Sequence, residues 1–155
     1  MPNPPSPTES APRRILVRGV NWLGDAVMTT PALLRLRERF PEAYITLLTP
    51  DKLADLWQHH PAMDEVVTFG AHEGLFTVAQ RLRLPAGRAD PRRARPNSFG
   101  ALHTLWEAAA GIVSDRFDLA LVLPNSPRSA LEVWLARVPQ RIGYAREWRN
   151  RFLTR

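Results

Sequence analysis

The sequence predicts an α/β fold in which an open, mostly parallel sheet carries helices on both of its faces. Three observations predict it. Apolar, β-branched segments alternate with amphipathic ones, one late segment is almost entirely apolar, and no internal repeat or heptad array competes with this pattern. Strands that alternate with helices form parallel sheets, and a strand covered on both faces is apolar throughout. We therefore expect the chain order strand, helix, strand, helix, strand, loop, helix, strand, helix, strand.

The first strand and the helix after it are predicted from residues 14–40. The segment "RILVRG" (14–19) is short, apolar and β-branched, and it ends at a glycine. Seven-residue spacings then predict one buried helical face, made of Ala26, Val27, Leu33, Leu34, Leu36 and Phe40. Pro31 lies inside this helix, so it must either kink the helix or mark a restart that Thr30 caps.

Two further strands flank a short helix. The segments "AYITLLT" (43–49) and "EVVTF" (65–69) predict the second and third strands, and "PDKLADLWQHH" (50–60) predicts the helix between them. Residues 70–98 mix arginines with prolines and glycines, which is typical of a loop or a broken helix rather than a packed element. The Arg/Pro-rich part of this loop spans about 81–97.

The last third of the chain supplies the clearest strand. A helix is predicted over 99–114, and "FDLALVLP" (117–124) is nearly all apolar, as a strand buried on both faces should be. In "NSPRSALEVWLARV" the hydroxyl of Ser126 can cap a helix whose first turn holds Pro127. The segment "RIGY" (141–144) predicts a fifth short strand.

Length and charge limit the possibilities. The chain has 155 residues and 45% hydrophobic content, which predicts one domain over residues 13–155 after a disordered, proline-rich tail over 1–12. Its net charge is +6, and Lys52 is its one lysine, so nearly all the positive charge is guanidinium. Guanidinium groups suit phosphate and carboxylate partners, although a biased genome explains the arginine excess equally well. Charge alone therefore does not choose between nucleic acid, a membrane surface and an acidic small molecule.

Several classes of function are disfavoured. The chain has no cysteine, which excludes disulfides, thiolate nucleophiles and cysteine-based metal sites. Its four histidines lack the helical spacing of a zinc site, so we expect no metal and no other cofactor. No apolar run approaches the roughly 20 residues of a membrane span, and the N-terminus lacks the apolar core of a signal peptide, so we expect a cytoplasmic protein. No nucleic-acid-binding motif is present, and nucleic acid is not an expected partner.

Ligands of such sheets bind beyond the carboxyl ends of the strands, which draws attention to the turn after the first strand. Gly19 and Gly24 would let the chain bend there, and Asp25 would stand at the start of a helix. Asp25 is either a helix cap or a general base that accepts a proton from a bound hydroxyl. Trp22 is either a substrate platform or a cover over the core. A phosphate loop is disfavoured, because neither G-x-G-x-x-G nor Lys-Ser/Thr occurs in this turn.

The turn after the strand at 117–124 is the second candidate. It brings together an amide, two hydroxyls, an arginine and the start of a helix, from Asn125, Ser126, Ser129 and Arg128. This cluster either binds a polar or anionic ligand or is a well-capped helix with an exposed arginine. The arginines at 81–95 likewise form either a solvated loop or a clamp on anionic groups.

Two motifs resemble a known family. The segments "LGDAVMTTPAL" and "LPNSPRSAL", in this order and at this separation, are similar to the N-terminal half of the lipopolysaccharide heptosyltransferases of glycosyltransferase family 9, above all the heptosyltransferase II branch. The resemblance covers about residues 14–155, apart from the Arg/Pro-rich middle. It implies a glycosyltransferase-B fold, in which two Rossmann-like domains face each other across a cleft.

The resemblance also implies an activity and a site. The family transfers heptose from ADP-heptose to the inner core of lipopolysaccharide, and its catalytic base matches Asp25 here. Transfer would be a single inverting displacement without an obligatory metal. From their places in the two turns, we expect that substrate is bound by Trp22, Gly24, Asn125, Ser126, Arg128 and Ser129. The acceptor bears carboxylates and phosphates on a lipid, so peripheral contact with the inner membrane is expected.

A C-terminal domain that binds the donor nucleotide follows in the family, and this sequence stops at Arg155 without it. The chain is then a fragment, a truncated gene product or a stand-alone remnant; we expect one of the first two, with little or no heptose transfer by the chain alone. Two alternatives stay open: a non-catalytic module that binds an anionic glycolipid or a partner protein, and a generic Rossmann-like nucleotide binder.

Overall fold

The structure is a computed structural model that describes residues 11–83 and 117–155. Three predictions fall wholly or largely outside these residues: the helix over 99–114, the loop over 81–97 and the tail over 1–12. The described residues form one sheet with helices packed against it.

The five strands are β1 (Arg14–Arg18), β2 (Tyr44–Pro50), β3 (Glu65–Phe69), β4 (Leu119–Val122) and β5 (Gln140–Gly143). The helices are α1 (Leu23–Arg39), α2 (Ala54–Trp57), α3 (Leu75–Arg83) and α4 (Pro127–Leu135). Two 3₁₀ turns, Asp51–Leu53 and Arg149–Phe152, complete the described elements.

The strands lie in the order β3-β2-β1-β4-β5, and all four neighbouring pairs are parallel. In the central register, Ile15 of β1 lies between Ile45 of β2 and Leu119 of β4. The chain starts at the centre, builds one half of the sheet and then returns to build the other. The strand order therefore reverses between β1 and β4, which is where ligands of open α/β sheets bind.

The core occupies both faces of the sheet because successive strand residues point to opposite sides. Ile15 and Val17 pack in one cluster with Leu33 of α1 and Trp57 of α2. Leu16, which lies between them in β1, packs in a second cluster with residues of α3 and α4, among them Val78, Leu82 and Val133. The prediction of an open parallel sheet with helices on both faces is confirmed.

The first helix differs from its prediction at the proline. α1 runs without interruption from Leu23 to Arg39, with Pro31 in its interior, so it does not restart and Thr30 is not a cap. Proline lacks the N–H that would bond the carbonyl of Val27, four residues earlier. Both Pro31 and Val27 are exposed, so water can reach that carbonyl.

The buried face of α1 is also narrower than predicted. Ala26 and Leu33 are fully buried, and Leu36 and Phe40 pack partly against them. Val27 and Leu34 are 53% and 38% exposed, so the prediction that they belong to the core face is wrong.

Other differences concern element type and length. Residues 75–83 were predicted as part of a loop or broken helix that does not pack, but they form α3, in which Val78, Ala79 and Leu82 are buried. The predicted helix over 50–60 is a 3₁₀ turn followed by one helical turn, α2. The strand predicted over 117–124 is confined to β4, and the last strand begins one residue earlier than predicted, at Gln140.

Candidate active site

The carboxyl ends of β1 and β4 bring the two predicted turns side by side. The two strands pair directly, and beyond the last pair the amide of Leu123 donates to the carbonyl oxygen of Arg18 at 3.1 Å. The turn that leads into α1 and the turn that leads into α4 therefore start from adjacent points on one edge of the sheet.

Asp25 is the third residue of α1 and is exposed to solvent. The N-cap position belongs to Trp22, whose φ of −116° and ψ of 142° are extended and whose side chain makes no capping hydrogen bond. Among residues 11–83 and 117–155, the Asp25 carboxylate makes no hydrogen bond or ion pair. The hypothesis that Asp25 is the helix cap is therefore wrong, and its carboxylate is available to a ligand.

Trp22 stands beside Asp25 on the same edge. Its side chain is 70% exposed, so the alternative that it covers the core is wrong. The Nζ atom of Lys52, in the 3₁₀ turn after β2, lies 4.8 Å from the centre of the Trp22 ring. Contacts of this kind contribute about 0.5–1 kcal/mol at exposed sites. The edge thus carries an exposed aromatic ring with an ammonium group on its face.

The two glycines of the first turn have different roles. A Cβ at Gly19 would lie 3.1 Å from Cδ1 of Leu47 and 3.3 Å from the carbonyl oxygen of Leu48, which also accepts the Gly19 amide at 2.9 Å. A Cβ at Gly24 would meet nothing within 4 Å, and Gly24 lies inside α1. Close packing against β2 requires glycine at position 19, whereas the described fold does not require it at 24. The prediction that Gly24 shapes the turn is therefore wrong, because Gly24 belongs to α1 and a side chain would fit at this position.

The second turn caps α4 as predicted. Ser126 is the N-cap, and its Oγ accepts the amide of Ser129 at 3.3 Å. The Ser129 side chain is fully buried, and its hydroxyl donates to the carbonyl oxygen of Ser126 at 2.7 Å. Asn125 and Ser126 are exposed at the edge, but Ser129 supports the turn from inside.

Arg128 is half exposed and partly engaged by the protein itself. Its Nε atom lies 3.2 Å from an Oε atom of Glu132, one turn along α4, and its Nη2 donates to the carbonyl oxygen of Glu73 at 2.8 Å. This contact ties α4 to the turn after β3. The guanidinium keeps part of its donor set for a ligand.

A buried ion pair supports both turns, and sequence reasoning missed it. Nε of Arg18 donates to Glu132 at 2.7 Å, and the two side chains are 3% and 0% exposed. Nη1 of Arg18 also donates to Oδ1 of Asn21 at 3.2 Å, and its guanidinium lies 4.5 Å from the centre of the Phe69 ring. The one sequence signal was an arginine at the carboxyl end of a strand whose three central residues are apolar.

Two open clefts lie along this edge of the described fold. The larger, about 630 Å³, lies between the turn after β3 and α4, and its lining includes His72, Glu73 and Arg128. The smaller, about 420 Å³, is lined by Asn125, Pro127, Arg146, Glu147 and Arg149. The predicted residues are thus divided: Arg128 lines one cleft, Asn125 lines the other, and Asp25 and Trp22 line neither.

No helix in residues 11–83 or 117–155 is long and apolar enough to cross a membrane. Within the same two ranges, no group of three histidine, aspartate or glutamate side chains is arranged to hold a metal ion.

Comparison with known proteins identifies relatives of one kind. No protein-family profile matches the chain. It is 30% identical to lipopolysaccharide heptosyltransferase 2 of Salmonella typhimurium over 136 residues, which cover 88% of this chain and 32% of the relative. It is 29% identical to the Escherichia coli protein of the same name over equal shares, and 26% identical to lipooligosaccharide heptosyltransferase 2 of Haemophilus ducreyi. The chain spans about a third of the length of these relatives.

Two solved structures are also similar to the chain. The chain is similar to ADP-heptose lipopolysaccharide heptosyltransferase II of Escherichia coli, with a TM-score of 0.63 and 26% identity over 90% of this chain and 33% of that one. A family 9 glycosyltransferase from Veillonella parvula shares the fold, with a TM-score of 0.63 at 22% identity over 92% of this chain and 34% of that one. Over nearly nine-tenths of its length, the chain is therefore similar to heptosyltransferases 2, the likeness that its two motifs predict.

Proposed function

We propose that this chain forms the acceptor side of a glycosyltransferase that transfers heptose from ADP-heptose to the inner core of lipopolysaccharide. The observation that carries the proposal is the exposed carboxylate of Asp25, which has no described partner and follows the turn at the carboxyl end of the central strand. The relatives' names supply the donor and the acceptor class. Because they are about three times as long as this chain, the activity of the whole enzyme is part of the proposal.

In the proposed reaction, Asp25 accepts one proton. One carboxylate oxygen accepts the proton of the acceptor hydroxyl while the hydroxyl oxygen attacks the anomeric carbon of the heptose. The bond from that carbon to the ADP oxygen breaks, ADP leaves, and the configuration is inverted. A general base must lie within hydrogen-bond reach of the hydroxyl, so an exposed carboxylate not engaged by the described protein suits the task.

Some of the neighbouring residues could contact substrate, whereas others support the turns. Trp22 offers an exposed ring on which a sugar can lie, and Asn125, Ser126 and Arg128 offer polar groups at the adjacent turn. Ser129 supports the turn before α4 instead of contacting substrate, because its side chain is buried and hydrogen-bonded. Glycine at position 24 leaves open space beside Asp25, which would let an acceptor approach the helix. The donor nucleotide would be held by a second domain, and the acceptor lipid would bring the protein to the inner membrane surface.

The test is a transfer assay on a chimera in which residues 11–155 replace the matching third of Salmonella heptosyltransferase 2. Asp25→Asn should lower turnover by a factor of about 10²–10⁴, the usual contribution of a general base, while acceptor affinity stays within a few-fold. Asp55→Asn is the matched control, because Asp55 is an exposed helical acid outside the site. Turnover of Asp25→Asn equal to that of Asp55→Asn would remove Asp25 from the mechanism.

The non-catalytic alternative gives a different result. If the chain only binds an anionic glycolipid, the unsubstituted 155-residue chain should bind heptose-deficient lipopolysaccharide, but the chimera should not release ADP in its presence. Titration of the chain with ADP alone tests the generic nucleotide-binding alternative, which requires saturable, tight binding.

A further inference from the structure

A fully buried arginine lies beyond the ends of β4 and β5 without a counter-ion. Arg149 is 0% exposed, and its guanidinium donates to two carbonyl oxygens, from Nη1 to Tyr144 at 2.8 Å and from Nη2 to Val122 at 3.1 Å. Its Nε has no hydrogen-bond partner, and Arg149 forms no ion pair with any residue in 11–83 or 117–155. Buried charges are nearly always paired, so this guanidinium lacks an anion.

The backbone around Arg149 leaves space for its side chain. A Cβ at Gly143 would lie 2.8 Å from Nη2 of Arg149 and 3.0 Å from the carbonyl oxygen of Val122, so only glycine at the end of β5 leaves room for the guanidinium. Trp148, which precedes Arg149, has a φ of 65°, in the left-handed region that a tryptophan rarely adopts. Strain of this kind persists only where the surrounding structure enforces it, and it is frequent at ligand-binding sites.

Arg149 also contributes to the lining of the smaller cleft. The cleft's other lining residues include Arg146, Asn125 and Pro127, the first residue of α4. Two guanidinium groups and the positive end of a nine-residue helix therefore meet here, against the single carboxylate of Glu147. Burial, and after it the charge of Arg146, lower the pKa of Arg149, yet an arginine stays charged at neutral pH.

We propose that this cleft binds a phosphate or carboxylate group, with Arg149 beneath the anion, Arg146 at the mouth and Asn125 donating from its amide. Because Arg149 is fully buried, its charge would attract the anion from beneath, while Arg146 and Asn125 at the cleft surface would make the direct hydrogen bonds. If the proposed transferase function holds, the anion is an acid group of the acceptor glycolipid. The binding site itself rests only on the buried guanidinium and the cleft.

The test titrates the complete 155-residue chain with inorganic phosphate, with glucuronate and with ADP at constant ionic strength, following backbone amide NMR signals. Phosphate and glucuronate should bind saturably and shift the signals of Asn125 and residues 143–149. Arg146→Gln should weaken binding about tenfold, which corresponds to about 1.4 kcal/mol and is typical of one charge-assisted hydrogen bond. Arg151→Gln is the control, because Arg151 is exposed, stacks on Trp148 and does not line the cleft.

Each result of this titration either supports or overturns the anion site. Absence of saturable binding by phosphate and glucuronate would overturn the proposal, as would equal weakening by Arg146→Gln and Arg151→Gln, which indicates a diffuse charge effect. Arg149→Gln removes the buried charge, and weaker binding by this variant, with unchanged amide signals away from the cleft, supports the site. Binding of ADP through the same residues, at least tenfold tighter than phosphate, supports the site but assigns the anion to a nucleotide. Because no heptose transfer is measured, failure of Asp25 as a base leaves this result unaffected.

Discussion

The buried ion pair between Arg18 and Glu132 should dominate the stability of the candidate site. Glu132→Gln preserves size but removes the charge, and it leaves the guanidinium of Arg18 almost fully buried without its carboxylate. Breaking a buried pair by removing one partner costs about 3–5 kcal/mol, because the remaining charge cannot return to water. We therefore expect a loss of about 4 kcal/mol in the free energy of unfolding, close to a thousandfold change in the folding equilibrium.

Urea unfolding followed by far-UV circular dichroism measures this loss. With an m value of about 2 kcal/mol/M, a loss of about 4 kcal/mol lowers the unfolding midpoint by about 2 M. The control is Glu38→Gln, which breaks an exposed pair with Arg35 whose side chains are 81% and 60% exposed. Exposed pairs contribute less than about 1 kcal/mol.

A double variant tests the cause of the loss. Arg18→Met combined with Glu132→Leu removes both charges, and such replacements of buried pairs are often neutral or stabilising. Most of the lost stability should therefore return in the double variant. Equal small losses for Glu132→Gln and Glu38→Gln would refute the reasoning, because they would show that the guanidinium of Arg18 finds adequate solvation without its partner.

The remaining predictions concern the two turns. Gly24→Ala should leave the fold intact and raise the free energy of unfolding by about 0.5 kcal/mol, because alanine is the better helix former and its Cβ meets nothing; weaker acceptor binding by this stable variant would indicate that substrate approaches position 24. Gly19→Ala should instead cost about 1 kcal/mol, because its Cβ would press on Leu47 and on the main chain of β2, and equal stabilities of the two variants in urea would contradict this contrast. Ser126→Ala should cost about 1 kcal/mol through loss of the helix cap, measured as a lower thermal midpoint, with the capping bond to Ser129 as the cause.

Much of the fold was predictable because strands and helices have different local periodicities. The five strand segments each carry enough apolar and β-branched residues to be recognised without knowledge of their neighbours. α3 was missed because arginines and prolines dominate its surroundings in the sequence, although Val78, Ala79 and Leu82 supply the face that it buries. Val27 and Leu34 were placed in the core because apolar character shows which side chains can be buried, but not how wide the covered arc of a helix is.

The candidate site was predictable only in part. The capping role of Ser126 follows from local sequence, as does an acid in the first turn of α1, because both depend on a few consecutive residues. The burial of Ser129 and the exposure of Trp22 do not, because each depends on which elements cover the turn.

By itself the sequence determined the alternation of strands and helices, the capped turn before α4 and the likeness to family 9 heptosyltransferases. Only the tertiary structure decided which charged side chains are buried away from water. Arg18 and Glu132 lie 114 positions apart, and Arg149 reaches a carbonyl of β4 27 positions away. The physical reason is that backbone periodicity is set by neighbours along the chain, whereas the desolvation of a charge is set by every element that folds over it.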